Sequence, residues 1–265
     1  MEDFRIMGQV IVVTSGKGGV GKTTTTANLG TALAKLGKNV VLVDADIGLR
    51  NLDLVMGLEN RIVYDLVDVV EEKCRINQAL IKDKRFEALY VMPAAQTRDK
   101  NAVTPEQMKK LCGELKEKFD FVIIDCPAGI EQGFKNAVAG AEKAIVVAIP
   151  EVSSIRDADR IIGLLYAEGI EDPVLIVNRT RPEMIKKNEM LDIEDTRSLL
   201  GIKLLGEIPE DTCIIEASNK GEPAVTNPQS KAGKAYDRIA RLIAGMEVEE
   251  EPTGFFAKLK KIFTK

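Results

Sequence analysis

Six apolar runs recur along the chain, at residues 10–13, 40–43, 89–92, 121–124, 144–149 and 174–177. Most are continuous rather than alternating. Strands of a parallel sheet, buried on both faces, have this pattern. Between them the apolar positions switch to helical spacing. Residues 23–36 form one such stretch, stopped by Gly37. Residues 105–118 form another, with Thr104 placed to cap it and Pro105 at the first helical position. Residues 153–168 end before Gly169, and 231–246 form the last helix of the body. Strands alternating with helices predict an α/β fold: a doubly wound, mostly parallel sheet with helices on both faces.

After residue 246 the pattern changes. Residues 247–254, rich in glutamate with one proline and one glycine, predict a flexible acidic linker. Residues 255–265 predict a C-terminal amphipathic helix. At 3.6 residues per turn, Phe255, Phe256, Leu259, Ile262 and Phe263 share a stripe about 120° wide. Lys258, Lys260, Lys261 and Lys265 occupy the remaining arc. The helix is too short to span a bilayer, which takes about 20 residues. An apolar stripe beside a basic face suits a helix lying on anionic lipid. The chain thus divides into a body (1–246), a linker (247–254) and a membrane-targeting helix (255–265).

The first strand runs into Gly16-Lys17-Gly18-Gly19-Val20-Gly21-Lys22-Thr23, followed by Thr24 and a helix. Gly16, Gly21, Lys22 and Thr23 satisfy the phosphate-loop spacing, and strand–loop–helix is the context that motif requires. Glycines let successive N–H groups turn inward onto phosphate oxygens, and the helix adds its positive end. Lys22 is expected on the β- and γ-phosphates of ATP and the Thr23 hydroxyl on Mg²⁺. In open α/β sheets ligands sit beyond the carboxyl ends of the strands. Asp44 and Asp46 follow one strand and Asp125 another, which makes all three candidate metal-site acids. An aspartate that ends an apolar strand beside a phosphate loop stands at the Walker B position, where its carboxylate can hold Mg²⁺ through water.

The second lysine of the loop, Lys17, makes the segment resemble the MinD/ParA family of ATPases with a deviant Walker A loop. DADIGLRNLD at 44–53 and DCPAGIE at 125–131 are similar to the switch segments of its MinD branch, which places the division septum. So are the stretches 77–83, 93–100 and 150–157, and the likeness covers nearly the whole chain. The resemblance implies an ATP-dependent homodimer in which Lys17 reaches the partner's nucleotide. It implies that Asp46 positions the attacking water, that Asn51 lies near the nucleotide, and that Asp125 supports the metal and couples hydrolysis to the second switch. It places Asn178, with neighbouring Arg179, and the loop of Pro209, Glu210 and Asp211 around adenine. Guanine is disfavoured on the residues themselves. Asn178-Arg179-Thr180-Arg181 has no acid where a guanine reader needs one. A MinC-type division inhibitor is the implied partner, along with either a MinE-type activator or another topological factor.

Composition narrows the chemistry. The chain has 265 residues, no histidine and four dispersed cysteines, so His–metal sites, triads and paired-cysteine clusters are excluded. The cysteines and the absence of a signal peptide predict a cytoplasmic protein, peripheral on the inner face of the membrane. Net charge is −4. Residues 252–265 hold four lysines and no acid, so the rest carries 33 basic against 41 acidic side chains, or −8. An acidic body weighs against a nucleic-acid partner. Two alternatives stand beside the membrane ATPase. One is a ParA-type partition ATPase gripping DNA through arginines such as Arg179 and Arg181. The other is a metal carrier of the same superfamily, which lacks the paired cysteines it would need.

Overall fold

The computed structural model describes residues 8–99 and 101–248. Most of the predicted linker and the whole amphipathic helix lie outside the described residues. Along the chain run β1 (Gln9–Thr14), α1 (Lys22–Lys35), β2 (Val40–Asp44), α2 (Leu52–Met56), α3 (Leu66–Val70), α4 (Ile76–Ala79), β3 (Ile81–Lys82), β4 (Leu89–Met92), α5 (Pro105–Lys116) and β5 (Phe121–Asp125). There follow α6 (Gln132–Ala139), β6 (Lys143–Ala148), α7 (Val152–Ala167), β7 (Val174–Thr180), α8 (Pro182–Lys186), α9 (Ile193–Leu200), β8 (Lys203–Pro209), α10 (Cys213–Asn219) and α11 (Lys231–Ile243).

The strands form one eight-stranded sheet, ordered β3-β4-β2-β5-β1-β6-β7-β8, parallel except for β3. From β1 the chain winds first towards β2 and later, past β5, towards β6. The order reverses at β1, and the crevice at its carboxyl end is where such folds bind ligands. Alternate residues feed two cores. Val10 and Val12 face one side with α5, α6 and α7, and Ile11 and Val13 face the other with α1 and α11. That two-sided burial explains why the strands read as unbroken apolar runs.

Helix α1 lies between the sheet and α11, and 11 of its 14 residues are buried, so it shows little amphipathic contrast. Gly30 makes the close approach to the sheet possible, since a Cβ there would stand 2.2 Å from Leu42 Cδ2. Tyr236 of α11 is fully buried against α1 and shares a 3.1 Å hydrogen bond with the Thr25 hydroxyl. Helix α5 starts as its sequence demands. The Thr104 hydroxyl accepts from the Gln107 N–H, and the Gln107 side chain returns to the Thr104 N–H.

Two strands escape a reading of the pattern. β3 has only two residues. β8 is an edge strand with Gly206 and Glu207 interrupting its apolar residues and Pro209 at its end, which an edge tolerates and a central strand does not. The helices predicted to reach 118 and 246 end at Lys116 and Ile243.

Candidate nucleotide site

The loop between β1 and α1 curls at the carboxyl end of the central strand. Its first glycine is set by packing: a Cβ on Gly16 would lie 2.2 Å from the Asp157 carbonyl oxygen of α7. Its last, Gly21, has φ +102° and begins α1. Gly18, Gly19 and Lys17 are exposed, whereas Val20 is anchored in the core. Lys22 is buried, with its ammonium 3.1 Å from the Ser15 hydroxyl, which in turn donates to the Lys17 carbonyl at 2.8 Å. Ser15 therefore braces the loop from inside. Nothing in the motif singles it out, because Ser15 precedes the motif's first glycine.

Asp44 and Asp125 end adjacent parallel strands in register and are both buried. Burial, then the charge of Asp125, pushes the Asp44 carboxyl well above the carboxylate range. Burial raises Asp125 to about 6, against the hydroxyls of Thr23 and Thr26 and the charge of Lys22. The Thr26 hydroxyl stands 3.3 Å from its carboxylate. Thr26 lies three residues beyond Thr23 on the same helix face, the spacing that could have flagged it.

The three strand-end acids gather at one rim, where the charges of Asp125 and Asp46 both act on Asp44. Among the described residues no three acidic or thiol groups stand so as to hold a metal by themselves. Asp44 also has a structural role. One of its oxygens accepts the Asp46 N–H at 2.9 Å and the other the Leu52 N–H at 3.2 Å, so its carboxylate anchors the loop after β2. Asp46 lies beyond it, lining a cleft of about 30 Å³ with Pro127, Ala128 and Glu131 from the loop after β5. The rest of the cleft's lining is largely apolar, with Leu66, Val103, Met108 and Phe134. Asn51 is exposed at the start of α2. The donors fit a hard, oxygen-seeking dication only with phosphate oxygens added. A cation beside Asp125 would offset the burial that raises it.

Lys17 does not turn toward the loop it belongs to. Its ammonium lies 3.4 Å from the Ser153 hydroxyl and 3.9 Å from the Glu151 carboxylate, just before and within the first turn of α7. Thr24 offers its carbonyl to Asn28, whose own carbonyl oxygen accepts the Val225 N–H.

On the far side of the loop, Asn178 is buried, and its amide donates to the Val20 carbonyl at 2.8 Å. Arg179 follows it, exposed, at φ +57°. Pro209 pairs with Thr180 across β7 and β8, and the Glu210 N–H donates to the Thr180 carbonyl. Pro209 and Glu210 thus meet Thr180, two residues beyond Asn178. Glu210 forms an exposed ion pair with Arg181. Asp211 accepts from the Ser230 hydroxyl at 2.7 Å and from the Ala232 and Cys213 N–H groups at 3.0 Å each. Its partial burial acts to raise the carboxyl, but these donors outweigh it and bring it to about 2.

The fold is shared with known proteins. The model for the CobQ/CobB/MinD/ParA nucleotide binding domain matches residues 11–224. The septum site-determining protein MinD of Bacillus subtilis (strain 168) is 62% identical over 264 residues, covering 97% of this chain and 98% of that protein.

The chain belongs to the MinD family.

Two solved MinD structures superpose on this member of the family. In the MinC:MinD cell division protein complex of Aquifex aeolicus, the matched chain gives a TM-score of 0.85 at 48% identity, covering 94% of this chain and all of that one. MinD of Pyrococcus horikoshii OT3, complexed with Mg-ADP, gives 0.82 at 33%, covering 89% and 96%. Among the described residues of this chain no helix is long and apolar enough to cross a membrane.

Proposed function

We propose that this protein is a Mg²⁺-dependent ATPase switch of division-site placement that dimerises on ATP and attaches to the inner face of the cytoplasmic membrane. The observation that carries the reading is the doubled-lysine loop on the central strand, with Lys22 and Asp125 buried beneath it. Lys22 and the amides of Gly18, Gly19 and Gly21 hold the β- and γ-phosphates. Asp46 orients a water in the cleft between the two switch loops. The water oxygen bonds to the γ-phosphorus as the bond to the β–γ bridging oxygen breaks, which yields ADP and phosphate. Positioning and electrostatics suffice for this reaction. The Thr23 hydroxyl, with Asp46 and Asp125 acting through water, would hold Mg²⁺, which would supply charge neutralisation on the transferred group. Lys17 swings from Glu151 and Ser153 to the partner's phosphates, so that ATP bridges two subunits.

The body ends at α11, and the lysine-rich tail beyond it binds anionic lipid. One tail binds weakly. Two on one dimer gain about 10²–10⁴ in avidity, and hydrolysis releases them. A MinC-type inhibitor is the partner, supported by the complex seen for the Aquifex aeolicus relative. A phosphate-release assay with vesicles present tests the assignment. Lys22→Ala and Asp46→Ala should each abolish turnover, with nucleotide binding lost only in the first. Parent-like hydrolysis by either variant would refute these roles.

A further inference from the structure

The family resemblance places Asn178 at the nucleotide base, and in this structure its side chain also reaches the phosphate loop. The amide nitrogen is 2.8 Å from the Val20 carbonyl oxygen, and the residue is 6% exposed. The approach is so close that a Cβ on Gly21 would stand 2.4 Å from that nitrogen. Two backbone features aim the side chain there. The pairing of β7 with β8 shifts register between Asn178 and Thr180, and Arg179 between them takes a left-handed conformation at φ +57°. The Asn178 side-chain oxygen accepts the Arg179 N–H at 3.0 Å, which closes this turn and holds the amide's orientation.

We propose that Asn178 is a positioning residue of the phosphate loop, fixing the Val20–Gly21 peptide whatever base the nucleotide carries. The mechanism follows from the peptide bond. A trans peptide is planar, with its C=O and N–H pointing in opposite directions, and no cis peptide occurs among the described residues. Holding the Val20 carbonyl against Asn178 therefore fixes the direction of the Gly21 N–H, one of the donors next to Lys22. Glycine on either side of Val20 would otherwise leave this peptide free to rotate. The inference rests on the nucleotide-binding reading of the loop.

The test compares the parent, Asn178→Ala, Asn178→Asp and Lys22→Ala. Calorimetry gives their dissociation constants for ATP and for inorganic triphosphate, which has no base. Loss of a buried hydrogen bond should weaken both ligands about tenfold in Asn178→Ala, and at least as much in Asn178→Asp, whose carboxylate has no N–H to donate and adds negative charge beside the loop. Amide exchange in the nucleotide-free protein should quicken over residues 20–23 and stay unchanged in β6 and α11. That local signature separates positioning from general destabilisation. Weaker ATP binding with triphosphate unchanged would make Asn178 a base contact and overturn the proposal, as would unchanged exchange over residues 20–23. If the parent binds neither ligand, the nucleotide reading of the site itself fails. If the parent binds both and Lys22→Ala binds neither, a contrary result for Asn178 falls on this inference alone.

Discussion

Asp211 is the point at which the loop after β8 is fastened to the N-terminus of α11, and replacing it with asparagine should loosen both. Its carboxylate receives three donors: the Ser230 hydroxyl, the Ala232 N–H and the Cys213 N–H. Ser230 is itself the cap of α11, its oxygen accepting from the Gly233 N–H. Asparagine keeps one acceptor and turns the other into an NH₂ group. That group either faces Ala232 and Ser230 or faces Cys213, so at least one N–H loses its partner. The carboxyl is held at about 2 in the fold, against about 3.9 in an unfolded chain. A shift of that size corresponds to about 2–2.5 kcal/mol, and the side chain is only partly buried, so screening reduces this to about 1–2 kcal/mol at neutral pH. The sign follows from the depressed value. The contribution is complete above the unfolded pKa and is lost as the pH falls through about 2, so roughly half is left at pH 3. Urea unfolding of the parent and Asp211→Asn at pH 7 and pH 3 measures this directly. The gap should be about 1–2 kcal/mol at pH 7 and about half that at pH 3. Equal stability at pH 7, or a gap that widens on acidification, would refute the reasoning.

Three further outcomes follow from the packing and the tail. Tyr236→Phe removes a buried hydroxyl paired with Thr25 at 3.1 Å while keeping the ring, and thermal unfolding should show a loss of about 0.5–1.5 kcal/mol. Gly30→Ala gains about 1 kcal/mol of helix propensity, but its Cβ would meet Leu42 Cδ2 at 2.2 Å. Overpacking of this kind costs about 1–3 kcal/mol, so the variant should melt below the parent; a higher midpoint would mean that Leu42 moves freely. Removing residues 253–265, or making Phe263→Glu, should abolish co-sedimentation with anionic vesicles in ATP, whereas the parent should bind far more strongly in ATP than in ADP. Equal binding in the two nucleotides would sink the avidity mechanism.

Much of this protein is visible in its sequence because the constraints behind it are local. A parallel strand buried on both faces must be apolar throughout, so β1, β2, β4, β5, β6 and β7 announce themselves. A phosphate loop needs glycines at fixed offsets, a lysine and a hydroxyl, all within eight residues. Thr104 and Pro105 mark a helix start by their own chemistry. Wherever a property depends on what lies across the fold, the sequence is silent. Edge strand β8 could be polar in its middle because one side of it pairs with nothing. Asp44 is marked by its place at a strand end, but its two backbone donors, the N–H groups of Asp46 and Leu52, come from the way the chain returns past it. Thr26 finds Asp125 across 99 residues of chain. Asn178 finds Val20 across 158. Residue spacing can prescribe a neighbour one helical turn away. It cannot prescribe one that winding of the sheet brings in, because that contact exists only after the whole core has formed.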